Sequence, residues 1–321
     1  MAERGQASWS QKGTSVVAEG DGFHIYRRGA RTLLSVHGTW EQQFAKLARE
    51  HNVNCLQLWS TMLAKGASLN VLHDLPLLRE LHVVVPAPSD LVPITTLKDL
   101  EYLGLMGELM PREDAKLLKR ATAAAEFSSL KKLEQAHVEL CPASESILGC
   151  TGLQNLWLWN RDYQQTRQID LAHLTNLTDL HVTAFPKLSE LDLSNHPALE
   201  RLHIEALPKL KAVTLHPRAR VRALKLGGCG AFRIDWDRLG DDLEELELSG
   251  PLRFPMEDIL RAKNLRIFRT NSIRTFPPLK FLLKLSNLQQ FGMWATPPGP
   301  KWSEEDWEIY RQINARRLDG E

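Results

Sequence analysis

The chain has 321 residues and a formal net charge of +1, so no global field draws it to nucleic acid or to an anionic membrane. Apolar residues make up 43% of it, which excludes a disordered chain, and no apolar run approaches the length of a membrane span. The first twenty residues lack an apolar signal core, and the four cysteines (Cys55, Cys141, Cys150, Cys229) form no CxxC pair; they read as reduced thiols in a cytoplasmic protein.

From the N-terminus, residues 15–38 alternate apolar and polar side chains around the turn signals Gly20-Asp21-Gly22 and Gly29, which predicts a small β-meander. Residues 39–51 follow with Trp40, Phe44, Leu47 and Ala48 at helical intervals, and Thr39 with Gln42 has the spacing of a capping box. Meander and helix together make an N-terminal cap over residues 1–52.

From Val53 onward one phrase recurs: an apolar residue, another three later, and a third two beyond that. It opens at Val53, Leu78, Leu100, Leu133, Leu153, Leu177, Leu199, Val221, Leu243, Leu265 and Leu288. From Leu177 to Leu265 the spacing is 22 residues. Between Leu177 and Leu215 it also recurs at half that period, opening at Leu188 and Leu210. Pro186, Pro197, Pro208 and Pro217 stand at the joints between these half-turns, and proline forces a bend there. Residues 111–127 are rich in Ala, Lys, Arg and Leu behind a leading proline and predict a helix; two shorter helical returns follow near residues 254–264 and 277–287.

On these residues, roughly Val53 to Trp294, the chain resembles the leucine-rich-repeat family. The resemblance implies an α/β repeat solenoid, a horseshoe or arc of about eleven coils over residues 53–296. A parallel sheet lines its concave face, and its convex side mixes strands and short helices. The family often places Asn eight residues after the opening leucine. Here two of those positions hold Cys141 and Cys229, expected as thiols packed inside the turn. Residues 297–321 end the chain as a C-terminal capping helix with Ser303 as N-cap and Trp307, Tyr310 and Ile313 on its sealing face. The expected whole is one continuous structural domain.

Strand side chains alternate, so the phrase sends its leucines inward and the intervening residues out. The outward positions place Trp59, His82, Tyr102, Met106, His137, Trp157 and Trp159 on the first half of the concave face. The second half carries His181, Arg201, His203, Glu205, Lys225, Glu247 and Arg269, ending at Trp294. Aromatic rings at one end and mixed charge at the other suit a protein partner. The alternative is that the segment at 111–127, or the long turn at 160–170, covers the rings.

His181 and His203 on neighbouring strands, beside Asp179 and Glu205, suggest a metal, but no third ligand is forced by spacing. No HExxH, GxSxG or phosphate loop occurs, and Cys229 has no histidine base assigned by any motif. The expectation is a non-enzymatic module that binds a protein, with no cofactor, no metal, no nucleic acid and no membrane. An inhibitor, an immunity-type protein or an adaptor would fit. An enzyme or metal-binding protein built on His181 and His203, or on Cys229, is the alternative.

Overall fold

The computed structural model describes residues 13–37, 40–59, 69–84, 90–105, 124–160, 167–230, 233–250, 256–271, 278–294 and 302–315. Beside the expectation of one continuous domain, the chain groups into two compact units, Met1–Tyr163 and Gln164–Glu321. The helix expected at residues 111–127 falls mostly outside the described residues, as does Met106.

The first unit opens with three antiparallel strands, β1 (Ser15–Gly20), β2 (Phe23–Arg28) and β3 (Arg31–Val36). Gly22 and Gly29 turn the chain between them at positive φ, 73° and 59°. Helix α1 (Gln42–Glu50) buries Phe44, Ala45 and Ala48. The capping-box expectation is corrected: the helix begins after Glu41, which makes no side-chain cap, so Gln42 stands in the first turn and cannot reach back from the third position. Asn52, at φ 52°, ends it.

Strand β4 (Cys55–Trp59) then lies parallel to β3, and β5 (Glu80–Val84), β6 (Tyr102–Leu105), β7 (Gln135–Glu139) and β8 (Asn155–Trp159) continue the parallel sheet. The return segments among the described residues include short 3-10 turns such as Leu69–Asp74 and Glu145–Gly149. Inward residues stack without offset: Leu56, Leu81, Leu103, Ala136 and Leu156 are all fully buried.

The second unit repeats the plan more regularly. Strands β9 (Asp179–Thr183), β11 (Arg201–Glu205), β13 (Ala223–Gly227), β14 (Glu245–Ser249), β15 (Ile267–Asn271) and β16 (Gln290–Trp294) form a parallel sheet. Leu180, Leu202, Leu224, Leu246, Phe268 and Phe291 stand in register along it. Each fully buried side chain of this size contributes about 1.5–3 kcal/mol relative to exposure, so a coil is stable only with neighbours on both sides.

The half-period is real as well. On the return path β10 (Glu190–Leu193) pairs in parallel with β12 (Ala212–Leu215), Leu191 opposite Val213 and Leu193 opposite Leu215. The prolines sit second in four-residue turns, each closed by a hydrogen bond from the fourth N–H to the first carbonyl: Leu188 to Phe185, Leu199 to His196, Leu210 to Leu207 and Ala219 to His216. The remaining returns are the single turn α2 (Trp236–Leu239) and the 3-10 segments Met256–Arg261 and Leu279–Lys284.

The corners after β9, β11, β13 and β14 are built alike. Residues 184, 206, 228 and 250 all take positive φ (61°, 57°, 58° and 70°), and each donates its N–H to the carbonyl of the last residue of the next strand. Two are glycines; Ala184 and Ala206 hold this conformation at a cost of about 1–2 kcal/mol each. Beyond the corner the Cys229 thiol is buried and donates to the Gly227 carbonyl at 3.3 Å, as expected of a turn thiol. At Cys141 the work passes to Ser144, whose hydroxyl donates to the Glu139 carbonyl at 2.7 Å. Amide ties do exist, at a different place: Asn264 donates to the Asp241 carbonyl and Asn287 to that of Lys263, each just before an opening leucine.

Helix α3 (Glu304–Ala315) closes the last coil. Ser303 caps it, its hydroxyl accepting from the Asp306 N–H and donating to the Asp306 carboxylate. Of the expected sealing face, Ile313 is buried and Tyr310 packs on Phe291 (centroids 6.1 Å), but Ile309 takes the buried place expected of Trp307, which packs on Trp302 at the rim and remains 51% exposed. Asn314 meets the edge strand itself, accepting from the Phe291 N–H at 3.0 Å and donating to the Phe291 carbonyl at 3.1 Å. It satisfies backbone groups that a further strand would otherwise pair.

Two outcomes test this account. Removing residues 199–220 deletes one whole coil and brings Val221 into the phase of Leu199; the shortened protein should still melt cooperatively, whereas removing residues 199–209 exchanges sheet and return strands and should abolish the transition. Thr270 occupies an inward position and is fully buried, with its hydroxyl unpartnered among the described residues. An unmet buried hydroxyl costs about 1–3 kcal/mol, so Thr270→Val should raise the unfolding free energy by about 1 kcal/mol in urea titrations.

Candidate functional site

The outward residues of a parallel sheet in strict register form files across the strands, about 4.8 Å from one strand to the next. That spacing is near the contact distance of two rings, so aromatic and imidazole groups in one file must stack.

In the first unit they do. Trp59 lies nearly parallel to His37, with centroids 5.4 Å apart and planes 14° apart, and donates its indole N–H to the Ser35 hydroxyl at 3.1 Å. Tyr102 covers His82 (4.6 Å), and its hydroxyl meets His137 Nδ1 at 3.0 Å. His137 in turn stacks on Trp157, with centroids 4.5 Å apart and planes 18° apart. Gly104 makes the Tyr102–His82 contact possible, because a Cβ there would stand 3.2 Å from the Tyr102 ring and 3.3 Å from His82.

Trp59, Tyr102, His137, Trp157 and Trp159 are half-buried. His82 is only 7% exposed, so it lies beneath the ring layer and supports it. Its Nε2 meets Glu80 Oε1 at 2.7 Å, and Glu80 also accepts from Arg31 at 2.9 Å. Burial works to raise the Glu80 pKa, but His82 and Arg31 outweigh it and hold the carboxyl below its usual range. Burial, reinforced by Glu80, pushes the Tyr102 phenol up, so it stays neutral.

The second unit carries the charged file. Asp179 accepts from Arg201 Nε at 2.7 Å, and its other oxygen lies 2.9 Å from His181 Nε2, close but off the line of an aligned hydrogen bond. His181 and His203 face each other, Nδ1 to Nδ1, at 2.9 Å, and His203 Nε2 meets Glu205 Oε2 at 3.1 Å. Lys225 pairs with Glu247 at 2.9 Å, and Arg269 approaches Glu245 at 4.0 Å. Burial tends to raise the Asp179 pKa, but His181 and Arg201 hold it down; Glu205 is lowered chiefly by its hydrogen bond with His203. The His181 pKa is lowered, first by burial and then by the charges of His203 and Lys225 against the pull of Asp179.

The predicted residues therefore fall into two sets, each within one unit. Trp294 ends β16, but its side chain lies outside the described residues, as does all of Met106. Among other outward positions, Cys55, Glu80, Val84 and Asp179 are buried. The sequence reading missed His37 and Ser35, which join the file because β3, although part of the meander, pairs in parallel with β4 and sets Ser35 opposite Gln57. The alternation of Ser35 and His37 at the end of that strand was the available signal.

Among the described residues no three or more His, Cys, Asp or Glu side chains converge as a metal site, and no helix is long and apolar enough to cross a membrane. The Cys55 and Cys229 thiols are pushed up by burial, and that of Cys150 is pushed up to about 12 by the same cause, so none supplies a ready thiolate.

No protein-family model matches the chain, and no curated protein matches it. It is similar to solved leucine-rich-repeat structures at low identity. An internalin (InlF) of Listeria monocytogenes is 14% identical over 84% of this chain and 75% of that one, with a TM-score of 0.45. An internalin C2 of the same organism is 17% identical over 78% and 83%, with a TM-score of 0.31. A leucine-rich-repeat protein of Leptospira interrogans is 16% identical over 87% and 91%, with a TM-score of 0.28. The repeat fold is established by the strand registers of this chain.

The lowered His181 pKa has a testable sign. A base whose folded pKa lies below its unfolded value, about 6.5, stabilises the fold fully above that value and loses this contribution as pH falls toward the folded pKa. Unfolding free energy should therefore drop as urea titrations move from pH 7.5 to pH 5.5, and His181→Gln should flatten that slope. An unchanged slope in the variant would place the titration elsewhere.

Proposed function

We propose that the protein is a non-catalytic interaction module that binds a protein partner on the outward face of its parallel sheets. The observation that carries this reading is the ring file of the first unit: Trp59 on His37, and Tyr102, His137 and Trp157 in contact across three strands. Aromatic side chains that are already stacked lose little freedom on binding, and Trp and Tyr dominate the energetics of protein interfaces.

The charged file favours a protein over a nucleic acid. Arg201, Lys225 and Arg269 each stand against a carboxylate, Asp179, Glu247 and Glu245, so the face offers pairs of both signs and no unopposed row of cations for phosphates. Catalysis at Cys229 is disfavoured by a buried thiol already bonded to a backbone carbonyl. An inhibitor, an immunity-type protein that neutralises a toxin, or an adaptor fits a binding face with no chemistry of its own. A cytoplasmic setting agrees with the four free cysteines.

The test is affinity purification from the host, identification of the partner by mass spectrometry, and calorimetry with the purified pair. Trp157→Ala and Trp159→Ala should each weaken binding by about 2 kcal/mol, roughly thirtyfold. The loss of folding stability should stay near the 0.5–1.5 kcal/mol, roughly, of one aromatic contact. Unchanged affinity with a large loss of stability would mark both rings as core.

A further inference from the structure

The outward face continues past the repeats onto the cap. Strand β3 runs parallel to β4 but antiparallel to β2, and paired residues point their side chains to the same side in both arrangements. Leu33 stands opposite Cys55 on β4 and opposite Tyr26 on β2, and Tyr26 stands opposite Val16 on β1. His24, two residues before Tyr26, is opposite Ser35 and shares that side. Ring contacts agree with the register. His24 stacks on Tyr26 with centroids 5.8 Å apart and meets His37 edge to face at 5.7 Å, and His37 carries Trp59.

These rings form a second layer over a buried floor. Leu33, Ser35 and Cys55 point outward and yet are only 1%, 2% and 1% exposed. Tyr26 packs on Leu33 and Cys55, while the Trp59 indole N–H and His37 Nε2 both meet the Ser35 hydroxyl at 3.1 Å. Farther along, the Tyr102 hydroxyl is held by His137, and His82 Nε2 by Glu80. Hydrogen-bonding atoms spent on neighbours within the face are not offered to a partner, so the rings turn their π faces and edges outward. Beside Tyr26, Val16 is 57% exposed, an apolar side chain left in water at the margin of the ring layer.

We propose, on the reading of the ring file as an interface, that the N-terminal meander is part of the same binding face: Val16, His24, Tyr26 and His37 join Trp59 in one surface that receives an apolar strip of the protein partner. A strip of aliphatic or aromatic side chains covers Val16 and the ring faces and leaves no hydrogen-bonding group of these rings unmet. Arg31, on the same side of β3, is engaged by Glu80 at 2.9 Å and does not call for an acid from the partner. Rings already fixed on a buried floor lose little freedom on binding.

Site-specific photocrosslinking in the host separates the role of the cap from that of the ring file. p-Benzoylphenylalanine is placed in the full-length protein at Tyr26, at Trp159 and, as a control, at Thr214, which is exposed on the return strand β12. Tyr26 and Trp159 should give adducts with the same protein, identified by mass spectrometry, and Thr214 none. With that protein purified, Val16→Asp should weaken binding about tenfold or more, while the circular dichroism and melting of the free protein stay unchanged. Wild-type affinity should change by less than about threefold between about 0.05 M and about 0.5 M NaCl, because salt does not screen apolar contact. An adduct from Trp159 without one from Tyr26, the same adduct from Thr214, or unchanged affinity in Val16→Asp would overturn the assignment of the cap. A steep loss of affinity with salt would overturn the apolar chemistry. Adducts from none of the three positions would overturn the interface itself.

Discussion

The constraint on which the rest depends is the zero-offset parallel pairing of strands whose equivalent residues lie 22 apart in the second unit. A coil of that length has one inward stripe of leucine-type residues and no means of burying it alone. Stacking buries it, and stacking without offset forces every inward residue onto its equivalent in the next coil. The same condition governs the corners. Residues 184, 206, 228 and 250 must all turn left-handed to send the chain off the sheet at the same height, and alanine accepts the strain at two of them. The return path of this unit obeys the rule too, since β10 and β12 are themselves in register.

Alignment also determines the chemistry of the outer face. Files of side chains about 4.8 Å apart bring like next to like unless the sequence alternates. In the first unit one file runs His82, Gly104, His137, Trp157, and Tyr102 from the neighbouring file fills the place above Gly104; the result is contact by stacking and a Tyr102–His137 hydrogen bond. In the second it alternates signs: Arg201 against Asp179, Lys225 against Glu247. Exposed ion pairs of this kind contribute little stability. Their consequence is a face without an unbalanced field, and the His181–His203 contact, Nδ1 to Nδ1 at 2.9 Å, is the place where like meets like.

A stack must also end. The meander ends the first unit by turning antiparallel strands into a parallel one at β3, whose partner β4 opens the repeats. The second unit ends with a helix that buries Ile309 and Ile313, while Asn314 answers the hydrogen-bonding groups of Phe291 on β16. A side-chain amide here stands in for one residue of a missing strand.

The sequence by itself determined the period, the phase of each strand and the extended return path at residues 190–193 and 212–215, because alternation of leucine with polar residues encodes which side of a strand is buried. It also determined the files in which Trp157, His181 and His203 stand. It did not determine depth. His82, Glu80 and Asp179 alternate like their exposed neighbours, yet they are buried by residues one coil away, such as Tyr102 and Arg201. Nor did it mark His37 as a rung, Asn264 and Asn287 as the amide ties, or Ile309 rather than Trp307 as the seal. Those depend on which groups the stacking brings within reach across the turns, and only the tertiary structure decides that. A residue's own strand sets its side; residues a full coil away set its surroundings.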